Sequence, residues 1–220
     1  MIRFTKGSNT MRIITVSRQF GSGGRELGKR LSDVLGYDYY DREILARLSE
    51  QSGLDVDYVS KIVSNHEWSS MPMSFGTTFG NAGYFSSANV ALLSAQRKLI
   101  EEIADSGNNC IIVGRNADVI LRERRPFRVF VCADIDYRLS RCMEHEVRRE
   151  NPLSEKEVLR NIKRIDKDRV RVRELISGKD RGDSSMYDLT VNSAGWDMDI
   201  KKMTAAVAEY AEKWFAQKEE

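Results

Sequence analysis

Three glycines within four residues are the feature of this sequence best suited to chemistry. Gly21, Gly23 and Gly24 follow an apolar run over 12–17 and precede leucines at helical spacing, so they lie in a strand-to-helix turn. Such a turn lets backbone N–H groups and the helix N-terminus bind phosphate. The sequence therefore predicts a phosphate-binding turn, and a plain tight turn is the alternative interpretation.

A dinucleotide-binding fingerprint fits this turn only in part. Counted from Gly21, it requires a third glycine at position 26, where the chain has Glu26. A carboxylate at the start of the helix would repel pyrophosphate, although Asp41 lies about where a ribose-binding acid is expected. These features disfavour a dinucleotide-dependent oxidoreductase.

A Walker-type loop also fits in part. That motif places Lys and then Ser or Thr directly after Gly23, and the chain has Gly24 and Arg25 there. Another cation would have to bind the phosphates, and a guanidinium can do so with two hydrogen bonds. The candidates are Arg18, Arg25 and Lys29.

Alternating strands and helices position this turn. Apolar runs predict five strands, over residues 12–17, 37–40, 110–113, 127–132 and 187–192. Helical periodicity predicts helices up to 35 and over 42–52, 91–103, 135–150, 154–176 and 197–215. The helix over 154–176 opens with Ser154 and Glu157 at the spacing of a capping box. This alternation predicts a doubly wound α/β domain with a parallel sheet.

Composition excludes several classes of protein. The 220 residues include 35 Lys and Arg, 33 Asp and Glu and three Cys, with a net charge of +2. This balance gives no reason to expect nucleic acid, and the cysteines lack the spacing of a zinc site or a disulfide framework. Since no apolar run reaches about 18 residues and no signal peptide is evident, we expect a cytoplasmic protein without a membrane partner.

Two segments lack the periodicity of regular structure. Residues 1–10 are polar, and we expect a disordered extension before a single domain over 11–220. Residues 64–87 combine three glycines with Ser, Thr, Met and Phe and predict a mobile insertion.

Five segments, in this order and spacing, resemble the cytidylate kinase-like family of nucleoside monophosphate kinases. They cover residues 14–28, 35–43, 112–115, 166–169 and 187–189. The resemblance implies a three-layer α/β/α P-loop kinase-like fold with a five-stranded parallel sheet and a helical lid at about 148–180. It also implies ATP and Mg²⁺ as cofactors, with a nucleoside monophosphate (CMP or dCMP) or another small phosphorylated molecule as acceptor. It leaves the acceptor's identity and the oligomeric state open.

The glycine turn and the resemblance together assign site residues. Those expected to bind the donor phosphates are Arg18, Gly21, Ser22, Gly23, Gly24 and Arg25. Those expected to bind the acceptor are Asp41, Arg47, Arg115 and Asp188. Catalysis would involve Arg25, Asp41 and the lid arginines Arg164, Arg169 and Arg173.

Several of these residues have a structural alternative. Arg169 falls within an apolar helical stripe, where a charge must pair, reach solvent or meet a ligand. Asp188 lies in an apolar strand, where an arginine partner would explain it as well as a nucleotide. Asp41 could cap a helix, accept a proton or hold Mg²⁺ through water.

Two departures from the family pattern support a second hypothesis. Gly24 and Arg25 replace the Walker lysine and hydroxyl residue, and Asn116 replaces an expected Asp after Arg115. A protein that kept the fold and lost this chemistry would be a non-catalytic nucleotide or phosphate sensor.

Overall fold

The computed structural model describes residues 11–53, 56, 87–147, 150–177, 184–196 and 199–219, and every structural statement below concerns these residues. The predicted extension over 1–10 lies outside them. The predicted insertion over 64–87 also lies outside them, except for residue 87.

The five predicted strands are present and form one parallel sheet. They are β1 (Ile13–Arg18), β2 (Asp38–Tyr40), β3 (Cys110–Val113), β4 (Phe127–Cys132) and β5 (Leu189–Asn192). Their order across the sheet is β2-β3-β1-β4-β5. The central strand β1 pairs with β3 from Ile13 opposite Cys110 and with β4 from Ile14 opposite Phe127. The parallel α/β prediction is therefore confirmed.

Seven α-helices accompany the sheet in the described residues. They are α1 (Gly24–Leu35), α2 (Arg42–Ser52), α3 (Ser87–Asp105), α4 (Ala117–Ile120), α5 (Ile135–Glu146), α6 (Glu155–Ser177) and α7 (Ile200–Glu219). The prediction missed α4, because four residues are too few to show a helical period. It also extended α5 too far, since that helix ends at Glu146. None of the described helices is long and apolar enough to cross a membrane.

One of the two bonds of the capping box predicted at the start of α6 is present, the one that Glu157 accepts from the Ser154 backbone. The Glu157 carboxylate accepts hydrogen bonds from the backbone N–H of Ser154 at 2.9 Å and from its hydroxyl at 2.5 Å. These bonds satisfy groups that the first helical turn would otherwise leave without a partner.

Helices cover both faces of the sheet, which gives the three-layer α/β/α arrangement. Successive strand residues point to opposite faces, so Ile13 and Ile112 lie in one core cluster and Ile14 and Ile111 in the other. The first cluster includes side chains of α2, α3 and α4, and the second includes side chains of α1 and α7. Because both faces are buried, β3 is apolar throughout, as is usual in parallel sheets, and the first five residues of β1 are buried, Thr15 and Ser17 included.

The glycine turn lies at the carboxyl end of the central strand. Gly23 has φ +80° and occupies the N-cap position of α1. A Cβ on Gly28, one turn into α1, would lie 2.6 Å from a Val113 methyl carbon, so a glycine is needed for α1 to approach the sheet this closely. The turn is thereby fixed at the sheet edge where open α/β proteins bind ligands.

Candidate functional site

The backbone of the turn is anchored by the Ser22 side chain, and it presents N–H groups without helical partners at the start of α1. The buried Ser22 hydroxyl lies 2.9 Å from the Gln19 carbonyl and 3.1 Å from the Val131 carbonyl, so it anchors the turn to β4. The N–H of Leu27 makes the first bond of the α1 ladder, to the Gly23 carbonyl at 2.9 Å. The N–H groups of the residues before Leu27 have no ladder partner, and an anion can bind there.

A cavity of about 810 Å³ opens above the turn. Its lining includes the glycines of the turn, six basic side chains and two acidic ones. The basic residues are Arg18, Arg25, Lys29, Arg30, Arg141 and Arg169, and the acidic ones are Glu26 and Asp33. This surplus of positive charge suits a ligand with several phosphates.

Asp41 forms a buried junction beside the cavity. Its side chain is 3% exposed, and its carboxylate lies 2.5 Å from Arg25 Nε and 3.8 Å from Arg18 Nη2. Although Asp41 occupies the N-cap position of α2, its side chain makes no capping hydrogen bond. The predicted capping role is therefore wrong, and the carboxylate pairs with arginines of the glycine turn instead.

Arg115 lies on an unusual turn after β3. Gly114, Arg115 and Asn116 have φ values of +76°, +59° and +54°, which is a left-handed turn of three residues. Burial lowers the pKa of Arg115 to about 10, Arg25 acts in the same direction and Asp41 opposes it. Since a pKa of about 10 leaves the guanidinium charged at neutral pH, Arg115 holds a partly buried positive charge next to the Asp41 junction.

Helix α6 is bonded directly to the glycine turn. Arg169 Nη1 donates to the Arg18 carbonyl at 3.1 Å, and its guanidinium lies 5.7 Å from the centre of the Phe20 ring. The Asp166 carboxylate accepts a hydrogen bond from the Phe20 N–H at 2.7 Å and one from Arg138 Nη1 at 2.5 Å. The structure thus places Arg169 at the turn, and closure of the 148–180 region over a ligand stays a prediction.

The other two predicted lid arginines lie elsewhere. Arg173 is 1% exposed, and its Nη1 lies 2.6 Å from the buried carboxylate of Asp118. This is the position of a core residue and not of a lid residue that faces a phosphate. Arg164 is partly exposed, and its Nη1 lies 3.7 Å from the carboxylate of the buried Asp168. It is also absent from the cavity lining.

None of the four predicted acceptor residues lines the cavity: Asp41 and Arg115 lie beside it, and Asp188 and Arg47 have contacts elsewhere. Asp188 accepts two side-chain hydrogen bonds from Arg128, each of 3.0 Å, and these bonds raise the pKa of Arg128. The arginine partner that the sequence left as an alternative is therefore present. Arg47 is exposed on α2, with its guanidinium 5.7 Å from the centre of the Tyr40 ring.

Sequence reasoning missed the residues that neutralise Glu26. Arg141 Nη2 lies 2.5 Å and Arg30 Nε lies 2.8 Å from its carboxylate. Burial acts to raise the pKa of Glu26, but the hydrogen bonds from Arg141 and Arg30 outweigh it and lower the pKa. The spacing of Glu26 and Arg30 could have indicated the second pair, whereas Arg141 comes from another helix.

The sheet order, with a glycine turn after the central strand, is that of a P-loop kinase-like fold. A crystal structure of an uncharacterized protein from Eubacterium ventriosum is 22% identical, covers 92% of this chain and 99% of its own, and has a TM-score of 0.65. Shikimate kinases from Bacteroides thetaiotaomicron and Aquifex aeolicus are each 16% identical, with TM-scores of 0.54 and 0.51. The former covers 92% of this chain and 99% of its own, and the latter 93% and 98%.

The family follows from the sequence itself. The model of the cytidylate kinase-like family matches residues 13–195, and the chain belongs to that family. No curated protein matches it. The match includes the glycine turn, the Asp41 junction, Arg115 and helix α6.

Proposed function

We propose that this protein is an ATP-dependent kinase that moves the γ-phosphoryl group of ATP to a small phosphorylated acceptor, with CMP and dCMP as the first acceptors to test. The observation that carries the proposal is the cavity above the glycine turn, where N–H groups at the start of α1 share one space with six basic side chains. Membership of the cytidylate kinase-like family supports the same chemistry.

Phosphoryl transfer requires little covalent help from a protein. It requires donor and acceptor to be held in line and the charge on the transferring oxygens to be neutralised. The turn and the arginines at its rim would hold the donor phosphates. Arg115, beside Asp41, would hold the acceptor, and Arg169 would reach the transferring group from α6.

Magnesium fits this site through few protein ligands. The described residues contain no group of three or more His, Cys, Asp or Glu placed to hold a metal ion. Mg²⁺ in kinases takes one or two carboxylates, with phosphate oxygens and waters as its other ligands. Asp41 is the carboxylate at the turn that could serve, and the ion would neutralise charge on the β- and γ-phosphates.

The test is ADP release from Mg-ATP with a panel of nucleoside monophosphates and small phosphorylated metabolites, beside calorimetric titration of ATP alone. We expect turnover on one acceptor class. Arg115→Ala and Arg169→Ala should each lower kcat/KM about a hundredfold or more, because both remove a charge near the reacting phosphates. Arg97→Ala, on the exposed side of α3, is the matched control and should keep the wild-type rate.

A non-catalytic nucleotide sensor is the second candidate. It is favoured by Gly24 at the position of the Walker lysine and by the pairing of Arg25 with Asp41 at 2.5 Å. This candidate predicts that ATP binds and that no acceptor of the panel causes ADP release. Absence of ATP binding would count against both candidates.

A further inference from the structure

Two residues of the glycine turn are exchanged relative to a Walker loop. That motif has its first glycine five residues before the last one and its lysine directly after the last one. Counted from Gly23, these positions are 18 and 24, and the chain has Arg18 and Gly24 there. The cation stands where the motif has glycine, and glycine stands where the motif has the cation.

The structure shows that this exchange is also spatial. A Cβ built on Gly24 would lie 2.6 Å from Cβ and 3.1 Å from Cγ of Arg18. The first distance is shorter than real side chains allow, the second is tighter than most real contacts, and no torsion can move the Arg18 Cβ away. Cβ and Cγ of Arg18 therefore occupy the space that the Cβ of a lysine at position 24 would need.

The guanidinium of Arg18 lies between the glycine turn and the part of the site that contains Asp41 and Arg115. A Cβ on Gly114 would lie 1.6 Å from Arg18 Nη1, so Arg18 passes directly over that glycine. Its Nη2 lies 3.8 Å from Asp41, its side chain is 12% exposed, and it lines the cavity. The charge is therefore held between the turn and the side of the site where Asp41 and Arg115 lie.

The other candidate cations are placed less well. Arg25 is 52% exposed and its Nε is bonded to Asp41. Lys29 is 57% exposed and pairs with Asp33 at 3.0 Å on the surface of α1. A charge held in a partly buried site acts on a phosphate more strongly than an exposed one, because water screens it less.

We propose that Arg18 replaces the Walker lysine and that its guanidinium binds the β- and γ-phosphate oxygens of the donor. This inference rests on the proposed function, and it selects one cation from the three that the sequence allows. The planar guanidinium of Arg18 can donate two parallel hydrogen bonds to a phosphate. A lysine ammonium on its flexible stem cannot do so in the same geometry.

The first experiment compares Arg18→Ala, Arg18→Lys and the control Arg97→Ala by ATP calorimetry and ADP release. We expect Arg18→Ala to weaken ATP binding about tenfold or more, as loss of a charged hydrogen-bond partner would. Arg18→Lys should fold like the wild type and retain part of the activity, since it keeps the charge and loses the fork.

The second experiment restores the Walker order with the double variant Arg18→Gly/Gly24→Lys. Gly24→Lys alone should lose activity and stability because its Cβ meets Arg18. In the double variant the Arg18 side chain is gone and the Val131 Cβ at 3.3 Å is the nearest contact that remains, so turnover should exceed that of either single variant. Thermal unfolding gives an independent readout, since Gly24→Ala should lower the Tm of the wild type much more than the Tm of Arg18→Gly.

The outcomes distinguish the proposed function from the role of Arg18. Wild-type protein that neither binds ATP nor releases ADP overturns the proposed function, and the role of Arg18 with it. Wild-type activity that persists in Arg18→Ala overturns only the role of Arg18. If Gly24→Ala lowers the Tm equally in the wild type and in Arg18→Gly, then Arg18 does not occupy the space beside position 24, and the spatial exchange of the two residues is overturned.

Discussion

The ion pair between Arg173 and Asp118 is the most deeply buried charge interaction among the described residues. Both side chains are 2% exposed, the charged atoms lie 2.6 Å apart, and the guanidinium lies 5.3 Å from the centre of the Tyr187 ring. Ser17 donates a further hydrogen bond to Asp118 at 3.4 Å. The pair therefore links α6, α4 and β1 through the core, a structural role for a residue that the family resemblance placed in the lid.

Arg173→Met is expected to destabilise the protein by about 3–5 kcal/mol, because it leaves the Asp118 carboxylate buried without its counter-charge. Urea denaturation monitored by circular dichroism measures this loss. Arg160→Met, an exposed arginine on the same helix, is the control and should change the free energy of unfolding by less than about 0.5 kcal/mol. Equal stability of the two variants would contradict a structural role for Arg173.

Cys110 should be unreactive in the folded protein. Burial raises its pKa to about 12, so the reactive thiolate is scarce at pH 8. We therefore expect Cys110 to be alkylated only when the protein is unfolded. With the thiol favoured in the folded state, its stabilising contribution is complete below the unfolded value near 9 and falls as pH rises towards 12. Iodoacetamide labelling with and without urea, read by mass spectrometry, checks this; rapid labelling of native Cys110 would contradict it.

At the scale of elements, α6 is coupled to the glycine turn by two adjacent polar groups. The Asp166 carboxylate accepts a hydrogen bond from the Phe20 N–H, and Arg169 donates one to the Arg18 carbonyl. Because both bonds reach the turn's backbone, a shift of α6 must alter the position of that turn. The helix and the turn are therefore expected to respond together when a nucleotide binds.

Asp166→Ala should weaken ATP binding about tenfold while the protein stays folded. The variant removes the acceptor of the Phe20 N–H and a charge partner of Arg138, and hydrogen bonds to charged groups contribute about 1.5–3 kcal/mol. The measurement is KM for ATP and the Tm. Glu155→Ala, exposed at the start of α6, is the control, and an unchanged KM in Asp166→Ala would show that the coupling has no effect on binding.

The sequence predicted regular elements better than it predicted the partners of charged residues. The five strands were found because apolar runs between glycine and polar turns are a local signal, and the capping box at Ser154 is local too. The partners of Arg173 and Asp188 are Asp118 and Arg128, which lie on other elements. Only the tertiary fold brings such residues together, so spacing along the chain could not indicate them.

At the scale of the whole molecule, charge is distributed unevenly. The net charge is +2, yet the cavity above the glycine turn has six basic and two acidic side chains in its lining. The glycines, Arg18 and Arg169, which the sequence analysis singled out, line this cavity, and their roles in binding and catalysis stay predictions. It could not show that Arg141 completes the cavity, because that residue comes from α5 and carries no motif.

Cys142 offers a readout of this cavity, since it lines the space above the turn and Cys132 does not. We expect ATP to slow alkylation of Cys142 several-fold and to leave Cys132 unchanged. Burial raises the pKa of both thiols, so labelling is best done at pH 8.5. Equal protection of both cysteines would indicate general tightening of the protein and not occupancy of the cavity.

The central position of β1 delays its folding while the chain is being synthesised. Its neighbours β3 and β4 begin at Cys110 and Phe127, and Arg12, next to β1, is bonded to Glu212 of α7 at 2.7 Å. A ribosome adds about 5–20 residues per second, so the strand before the glycine turn waits on the order of ten seconds for its first partner. Throughout that interval the nascent turn has no sheet beneath it, so the cavity above the turn forms only after β3 and β4 have been made.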